Sequence, residues 1–370
     1  MVERPAFALA SAGLDAVGLL QGIPDPVILI DRRRRIVAMN TAARDLFPLA
    51  VVDRDLAQGV RHPGVLRTVD AVLAQHERRI TEVDLIGQVP RSFELHAAPL
   101  QGEAKPESVA AVAVFHDLTL VRRAEEMRAD FVANVSHELR SPLTSLAGMI
   151  ETLRGPARND EAARDRFLLL MQGEALRMTR LINDLLSLSR VEINEHIQPN
   201  ELVDIRTILH TVTELLAPQI AAKSMKVEFS AAEPLPPVPG DRDQLFQVFQ
   251  NILENAVKYG AAGTAIDVAM QSVPRMTESG RPGVLVSIAD QGEGIAREHI
   301  PRLTERFYRV DRGRSRDMGG TGLGLAIVKH IVNRHRGQLV IESEPGKGSR
   351  FSVILPRSAG SGESRPNQPA

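Results

Sequence analysis

Residues 319–328 read GGTGLGLAIV, a glycine-rich turn that leads directly into an apolar helical pattern. Glycines in such a turn let backbone amides approach a phosphate at the amino terminus of a helix. The stretch fits neither G-x-x-x-x-G-K-[ST] nor G-x-G-x-x-G, so it is not a P-loop or a dinucleotide-binding fingerprint. The pattern therefore predicts a nucleotide-binding fold of another kind. The alternative, a plain glycine hinge, explains the glycines but not their neighbours.

A second glycine-containing stretch lies upstream. Residues 284–295 read VLVSIADQGEGI, a β-strand pattern that ends at Asp290 and is followed by Gly292 and Gly294. A carboxylate at the end of a strand can accept a hydrogen bond from a buried donor such as an adenine amino group. Such a contact discriminates between ligands because an unmet buried partner is costly.

A helical pattern precedes both glycine stretches. Residues 243–260, DQLFQVFQNILENAVKYG, are amphipathic and carry Asn251 and Asn255 four residues apart, which places both on one helix face. Side-chain amide oxygens, completed by phosphates and water, suit Mg²⁺. An asparagine pair alone is more often a solvated face, so this interpretation depends on the glycine stretches nearby.

The middle of the chain has the pattern of two long helices. Within 131–154 apolar residues step by three and four, and 161–192 repeats the pattern after the turn-forming RGPARND. Two antiparallel helices with one apolar seam each cannot close a core alone. Pairing with a second copy into a four-helix bundle is the natural solution, so the sequence predicts a homodimer.

The amino-terminal third has a mixed pattern. Residues 22–48 predict strand, hairpin, strand and helix, and further strands are predicted at 92–99 and 108–115. The basic run Arg32 to Arg35 falls between the first two strands, where a solvated turn is the favoured interpretation over a nucleic-acid patch. Residues 20–118 are therefore predicted to form one small α+β domain.

Composition narrows the class of protein. The chain has 370 residues, no cysteine and a net charge of -1. The charge gives no overall attraction to nucleic acid, and the missing cysteines exclude disulfides, thiol catalysis and iron–sulfur clusters. No apolar stretch reaches the ~20 residues that span a bilayer. We expect a cytoplasmic protein, with peripheral or anchored attachment at the inner membrane if the native chain is longer.

Six segments together carry a family resemblance. NILENAVKYG, DQGEGI, ERFYRVD and GGTGLGLAIV, in this order, resemble the N, first glycine, F and second glycine boxes of bacterial sensor histidine kinases. FVANVSHELRSPLTSL resembles their H box, and residues 22–118 resemble a PAS sensory domain. The subtype that the chain resembles is the phosphate-regulon sensor kinase.

The resemblance implies a multidomain α+β fold. It would combine a PAS domain, an antiparallel helical hairpin that forms a dimeric four-helix bundle, and an α/β-sandwich ATP-binding domain of the gyrase and histidine kinase superfamily. The implied division is an amino-terminal segment at 1–19, the PAS domain at 20–118, the dimerisation and histidine phosphotransfer domain at 119–197, the catalytic domain at 198–358 and a disordered tail at 359–370.

The resemblance also implies roles for single residues. His137 would be the phosphoacceptor and Glu138 would hold its other ring nitrogen and accept its proton. Ser141, where many relatives have Thr, would supply the hydroxyl linked to phosphatase activity. Asn255 would hold Mg²⁺. The residues implied to bind the nucleotide are Asn251, Asn255, Lys258, Tyr259, Asp290, Gly292, Gly294, Phe307, Gly320, Thr321, Gly322, Leu323 and Gly324. A lid is implied at 308–320, with Arg309, Arg314 and Arg316 as alternatives for neutralising the γ-phosphate.

The implied activity is that of an ATP:protein-histidine phosphotransferase. It would use ATP and Mg²⁺, act as a homodimer, and pass the phosphoryl group to an aspartate of a separate response regulator, in phosphate-starvation signalling and without direct contact with nucleic acid. Two alternatives stay open: an ATPase or serine kinase with the same nucleotide pocket, and a non-catalytic PAS dimer scaffold.

Overall fold

The computed structural model describes residues 16–86, 90–100, 108–232, 235–277, 279–311 and 320–357. The predicted disordered tail at 359–370, most of the predicted segment 1–19, and Arg314, Arg316 and Gly319 of the predicted lid lie outside these residues. The chain divides into two compact units, residues 1–133 and 134–370. The finer division into domains stays a prediction.

The first unit is a five-stranded sheet with short helices. Its elements are α1 (Ala16–Gln21), β1 (Val27–Asp31), β2 (Ile36–Met39), α2 (Thr41–Leu46), α3 (Leu56–Gly59), α4 (Pro63–Gln75), β3 (Arg79–Leu85), β4 (Arg91–Pro99) and β5 (Val109–Asp117). The strand order is β2-β1-β5-β4-β3, and every pair is antiparallel. The sequence patterns had not predicted α4 or β3.

Aromatic rings fill the core of this unit. Phe115 on β5 packs edge-on against Phe47 and Phe93, with ring centroids 5.1 and 6.3 Å away. Asn40 is fully buried and its side chain is satisfied: Oδ1 accepts from the backbone amides of Val27 and Ala43, and Nδ2 donates to two backbone carbonyls. A buried amide that is fully bonded fixes the start of α2 without the penalty of an unmet polar group.

The run Arg32 to Arg35 lies in the β1–β2 hairpin turn, as the pattern predicts. Arg34 adopts a left-handed backbone with φ 63°. Its guanidinium binds Asp55 at 3.2 Å and Asp70 at 3.0 Å. The run is therefore a structural turn in which one arginine ties the hairpin to the helices.

Two long helices, α5 (Thr119–Arg154) and α6 (Glu161–Ile193), are joined by a turn at 155–160. Asp160 caps α6, since its side chain accepts from the Ala163 amide at 2.9 Å. The buried positions of α6 form one stripe; they are Ala163, Arg177, Leu181, Leu188 and Val191. An arginine in an otherwise apolar stripe indicates a buried partner, which is described below.

The rest of the second unit is a helix-covered mixed sheet. Its elements are β6 (Leu202–Val203), α7 (Ile205–Ala222), β7 (Lys226–Ala231), β8 (Val238–Pro239), α8 (Arg242–Tyr259), β9 (Ala265–Val273), β10 (Gly283–Asp290), a 3₁₀ turn (Ile300–Arg302), α9 (Gly324–Arg334), β11 (Gln338–Glu344) and β12 (Gly348–Pro356). The sheet order is β11-β12-β10-β9-β7, with β7 and β9 parallel and the other pairs antiparallel. The predicted α/β sandwich is confirmed.

The start of α8 is fixed by its capping residue, Asp241. The Asp241 side chain accepts from the amides of Asp243 and Gln244, the capping role that the sequence predicts. Asp241 in turn donates its own amide to Nε2 of the fully buried His335 at 2.9 Å. One histidine at the end of α9 therefore anchors the start of α8, which fixes the ends of the two helices relative to each other.

In the described residues, no helix is long and apolar enough to cross a membrane.

Candidate nucleotide and phosphoacceptor site

A cavity of about 450 Å³ opens between α8, the end of β10 and the glycine turn before α9. Its volume lies within the range of small-molecule sites in proteins. Ten of the predicted nucleotide-binding residues line it: Asn251, Asn255, Lys258, Tyr259, Asp290, Gly294, Gly320, Thr321, Gly322 and Gly324. Residues far apart in sequence thus meet around one cavity.

Helix α8 supplies one wall. Asn251, Asn255 and Lys258 are four and three residues apart, so they share the face that lines the cavity, while Leu253 and Val257 face the core. The Asn251 Nδ2 atom is buried and has no hydrogen-bond partner among the residues that the structure describes. A buried donor without an acceptor is costly, so this atom indicates that a ligand oxygen belongs beside it.

The end of β10 supplies the opposite wall. Asp290 is buried, and its Oδ1 accepts from the Gly292 amide at 2.8 Å. Burial raises the pKa of Asp290 above its usual value, while backbone hydrogen bonds from Gly292 and Ser349 act in the opposite direction. The carboxyl therefore lies in a dry environment, where a hydrogen bond to a ligand donor is strong.

Two glycines are required by geometry. Gly294 has φ +70°, and a Cβ there would lie 2.1 Å from the Glu344 carbonyl oxygen. Gly322 has φ +74°, and a Cβ there would lie 2.9 Å from the Phe307 Cα. Any other residue at either position would meet backbone that cannot move aside, so both turns of the cavity wall depend on glycine.

Three predicted nucleotide-binding residues do not line the cavity, namely Gly292, Phe307 and Leu323. Phe307 donates its amide to the Gly322 carbonyl at 2.8 Å, which holds the glycine turn from behind. Leu323 is fully buried directly before α9. Phe307 and Leu323 therefore lie behind the cavity lining, and the nucleotide-binding roles of all three residues stay predictions.

The sequence analysis missed the contribution of α6 to the cavity, since Arg180 and Asp184 of this second hairpin helix line it. Tyr308, Arg309 and Asp311 line it from the start of the predicted lid, and Arg309 is one of the three arginines predicted to neutralise the γ-phosphate. The Arg309 Nε atom is buried and has no hydrogen-bond acceptor among the described residues, so it is a second unsatisfied donor at the cavity. The sequence offered one signal for Asp184: it falls within the stripe that contains Leu181 and Leu188.

The predicted phosphoacceptor region is on α5 and outside the cavity. His137 and Ser141 are exposed on consecutive turns of the helix. Glu138 Oε2 accepts from Arg177 Nη2 at 3.0 Å and from Arg309 Nη2 at 3.2 Å. In the described contacts Glu138 is thus bound by two arginines, and the predicted bond from Glu138 to His137 is not the arrangement found.

Further contacts join the hairpin to the sandwich. Thr321 Oγ1 donates to Asp184 Oδ2 at 2.7 Å, and Ser187 Oγ donates to Gln247 Oε1 at 2.7 Å. Arg306 binds Glu192 at 2.5 Å. The hairpin therefore lies against the mouth of the cavity and contributes side chains to it.

The fold and the site define a class. A helix-covered mixed sheet holds the cavity with its asparagine-bearing helix, its buried aspartate and two glycine turns, and a histidine-bearing helical hairpin lies against it. Three family models match: "Histidine kinase-, DNA gyrase B-, and HSP90-like ATPase" over residues 240–359, "His Kinase A (phospho-acceptor) domain" over 127–193 and "PAS fold" over 20–123.

Similar proteins narrow the class to a family. The chain is 42% identical over 331 residues to the phosphate regulon sensor protein PhoR of Pseudomonas aeruginosa, which covers 89% of this chain and 71% of that protein. It is 38% identical over 359 residues to the sensor protein kinase WalK of Staphylococcus aureus strain Newman, covering 93% of this chain and 55% of WalK. The structure of the Acinetobacter baumannii histidine kinase AdeS matches with 26% identity and a TM-score of 0.46, over 60% of this chain and 97% of AdeS. The chain belongs to the sensor histidine kinases, enzymes that phosphorylate a histidine from ATP.

Proposed function

We propose that the chain phosphorylates its own His137 from ATP and passes the phosphoryl group to an aspartate of a separate response regulator. The observation that carries the proposal is the pair of buried donors, Asn251 Nδ2 and Arg309 Nε, which face the cavity without a partner in the described residues. Phosphate oxygens are acceptors of the kind that both atoms need.

The transfer step needs a nucleophile and a base. A neutral imidazole nitrogen of His137 attacks the γ-phosphorus, the bond to the oxygen between the β- and γ-phosphates breaks, and ADP leaves. The proton on the other ring nitrogen passes to a base, and Glu138 is the adjacent carboxylate. Since Arg309 and Arg177 bind Glu138 in this arrangement, the proton transfer requires Glu138 to be released from at least one of them.

The residues present fit a magnesium nucleotide. The side-chain oxygen of Asn255 would hold Mg²⁺ together with phosphate oxygens and water, and the ion would neutralise charge on the phosphates during transfer. Asn251 and Lys258 would bind phosphate oxygens, and Asp290 would accept from the adenine amino group. Each of these four side chains lines the cavity.

A homodimer is proposed from the surface of the hairpin. Several large apolar side chains on α5 and α6 are exposed in the single chain: Val132, Leu143, Ile150, Leu168, Leu169, Leu170, Leu176, Ile182 and Leu186. A surface of this kind is unfavourable in water. Pairing with a second hairpin into a four-helix bundle would bury it.

Phosphate-starvation signalling is the proposed context, and the identity to the Pseudomonas PhoR protein supports it. The response regulator and a phosphatase activity toward it, which would use Ser141, are proposed from family membership. The catalytic and phosphoacceptor family models that match the chain do not by themselves select one signal.

The deciding experiment is incubation of the purified chain with γ-labelled ATP and Mg²⁺. We expect an acid-labile, alkali-stable label that is lost in His137→Gln. An acid-stable label would favour a serine kinase, phosphate release without labelling would favour an ATPase, and nucleotide binding without either would favour a scaffold. Transfer to the regulator is tested by adding candidate receiver domains to the labelled protein.

A further inference from the structure

Asp184 brings a carboxylate from the phosphoacceptor hairpin into the nucleotide cavity. It lies on α6, and its Oδ2 accepts from the hydroxyl of Thr321, which belongs to the glycine turn before α9. Both residues line the cavity. The sequence analysis predicted that Thr321 binds the nucleotide, but in this structure its hydroxyl donates a hydrogen bond to the hairpin residue Asp184.

A second contact lies one turn further along α6. Ser187 Oγ donates to Oε1 of Gln247, which also lines the cavity. Two hydrogen bonds at i and i+3 on one helix face thus tie the hairpin to two walls of the same cavity. Three of the four residues that dock α6, namely Asp184, Thr321 and Gln247, therefore also line the cavity.

The charges around Asp184 are unfavourable for a carboxylate. Burial raises the pKa of Asp184, and the negative charge of Glu254 on α8 raises it further. The hydrogen bond from Thr321 and the positive charge of Arg180 on α6 lower it. A triphosphate entering this cavity adds several negative charges close to the same carboxylate, and repulsion is strong where water is excluded.

We propose that Asp184 makes nucleotide binding and hairpin docking antagonistic: in the docked arrangement it holds Thr321 and opposes the triphosphate, and a bound triphosphate drives α6 off the cavity. The proposal rests on the proposed function of the cavity as an ATP site. Because coupling between two binding events is reciprocal, docking weakens ATP binding by the same factor by which ATP weakens docking. Nucleotide binding would in this way release the helical hairpin, whose first helix carries His137, from the cavity.

The first test compares nucleotide affinity. The full chain and its Asp184→Asn variant are titrated calorimetrically with a non-hydrolysable ATP analogue and Mg²⁺. Asparagine keeps an acceptor oxygen for Thr321 and removes the charge, so we expect about five- to thirtyfold tighter binding. The matched control is Asp165→Asn on the same helix, at an exposed position outside the cavity, where we expect no more than about a twofold change.

The second test measures docking directly. The chain has no cysteine, so Ser189→Cys on α6 and Asn333→Cys on α9, both exposed, give one spin-label pair. Labelled chains are diluted with unlabelled ones so that each measured distance lies within one chain. Adding the analogue should lengthen or broaden the distance in the wild-type background and change it much less with Asp184→Asn.

The outcomes separate two failures. If the analogue binds with equal affinity to wild type and Asp184→Asn, or if binding leaves the wild-type distance unchanged, the coupling proposal is overturned and the ATP site stands. If the wild-type chain binds no nucleotide, both the proposed function and the coupling fall.

Discussion

Glu138 and Arg309 are joined by a largely buried ion pair, 3.2 Å between Oε2 and Nη2, with side chains 18% and 6% exposed. One residue adjoins the proposed phosphoacceptor and the other lines the nucleotide cavity. In this arrangement the proposed base and one candidate phosphate-binding arginine bind each other, so the proposed phosphoryl transfer requires the pair to separate.

Replacing Glu138 by Gln should lower the autophosphorylation rate about 100-fold, within the range attributed to general bases. The KM for ATP should stay the same or fall, because Arg309 loses the charged partner that competes with phosphate. Initial rates of label incorporation at several ATP concentrations measure both values. Glu151→Gln, an exposed position on the same helix, is the control. A rate equal to or above that of wild type would leave Glu138 as a docking residue only.

Asn251→Asp should weaken ATP binding by at least about tenfold. The change removes the buried donor Nδ2 and places a carboxylate where phosphates are proposed to bind, which adds repulsion in a water-poor cavity. Calorimetric titration with the non-hydrolysable analogue measures the effect. Asn333→Asp, exposed on α9, should bind like wild type. Unchanged affinity in Asn251→Asp would mean that the orphaned amide does not face the nucleotide.

Local elements of the site were predictable because local chemistry determines them. The cap at Asp241, the strand that ends at Asp290 and the paired asparagines of α8 all follow from spacing and capping rules within one segment. Strand β3 was not predictable in the same way. It is an edge strand with only Val83 buried, so it carries little of the alternation that marks a strand.

The contribution of α6 to the cavity is a tertiary effect. Asp184 and Thr321 are 137 residues apart, and no local pattern connects them. The same is true of Glu138 and Arg309, which are 171 residues apart. What the sequence does contain is charge inside an apolar stripe, Arg177 and Asp184 alongside Leu181 and Leu188, and such charges require partners from elsewhere in the chain.

Ser141→Ala should separate two activities. Ser141 is exposed one turn after His137 and lies outside the cavity, so the KM for ATP and the autophosphorylation rate should stay within about twofold. Dephosphorylation of the phosphorylated regulator should fall at least about tenfold if the hydroxyl positions water. Ser145→Ala, exposed one turn further on, is the matched control. Full retention of phosphatase activity in Ser141→Ala would contradict the role.

Acidification should destabilise the ATP-binding region through His335. Burial lowers the pKa of His335 below its usual value, opposed in part by its hydrogen bond to the Ile331 carbonyl. In the unfolded chain a histidine takes up a proton below about pH 6.5, whereas the folded one stays neutral until a lower pH. The unfolded state then binds more protons, so the free energy of unfolding falls as pH drops below about 6.5, with a limiting slope near 1.4 kcal/mol per pH unit.

The test compares His335→Gln with wild type by urea unfolding, followed by far-UV circular dichroism because the chain has no tryptophan. At pH 7.5 the variant should be less stable by about 1–2 kcal/mol, since glutamine replaces both hydrogen bonds imperfectly. Between pH 6.5 and 5 its stability should fall less steeply than that of wild type, and the two curves should converge. His196→Gln, an exposed histidine, should keep the wild-type slope. Parallel curves for His335→Gln and wild type would show that the buried imidazole does not carry the acid sensitivity.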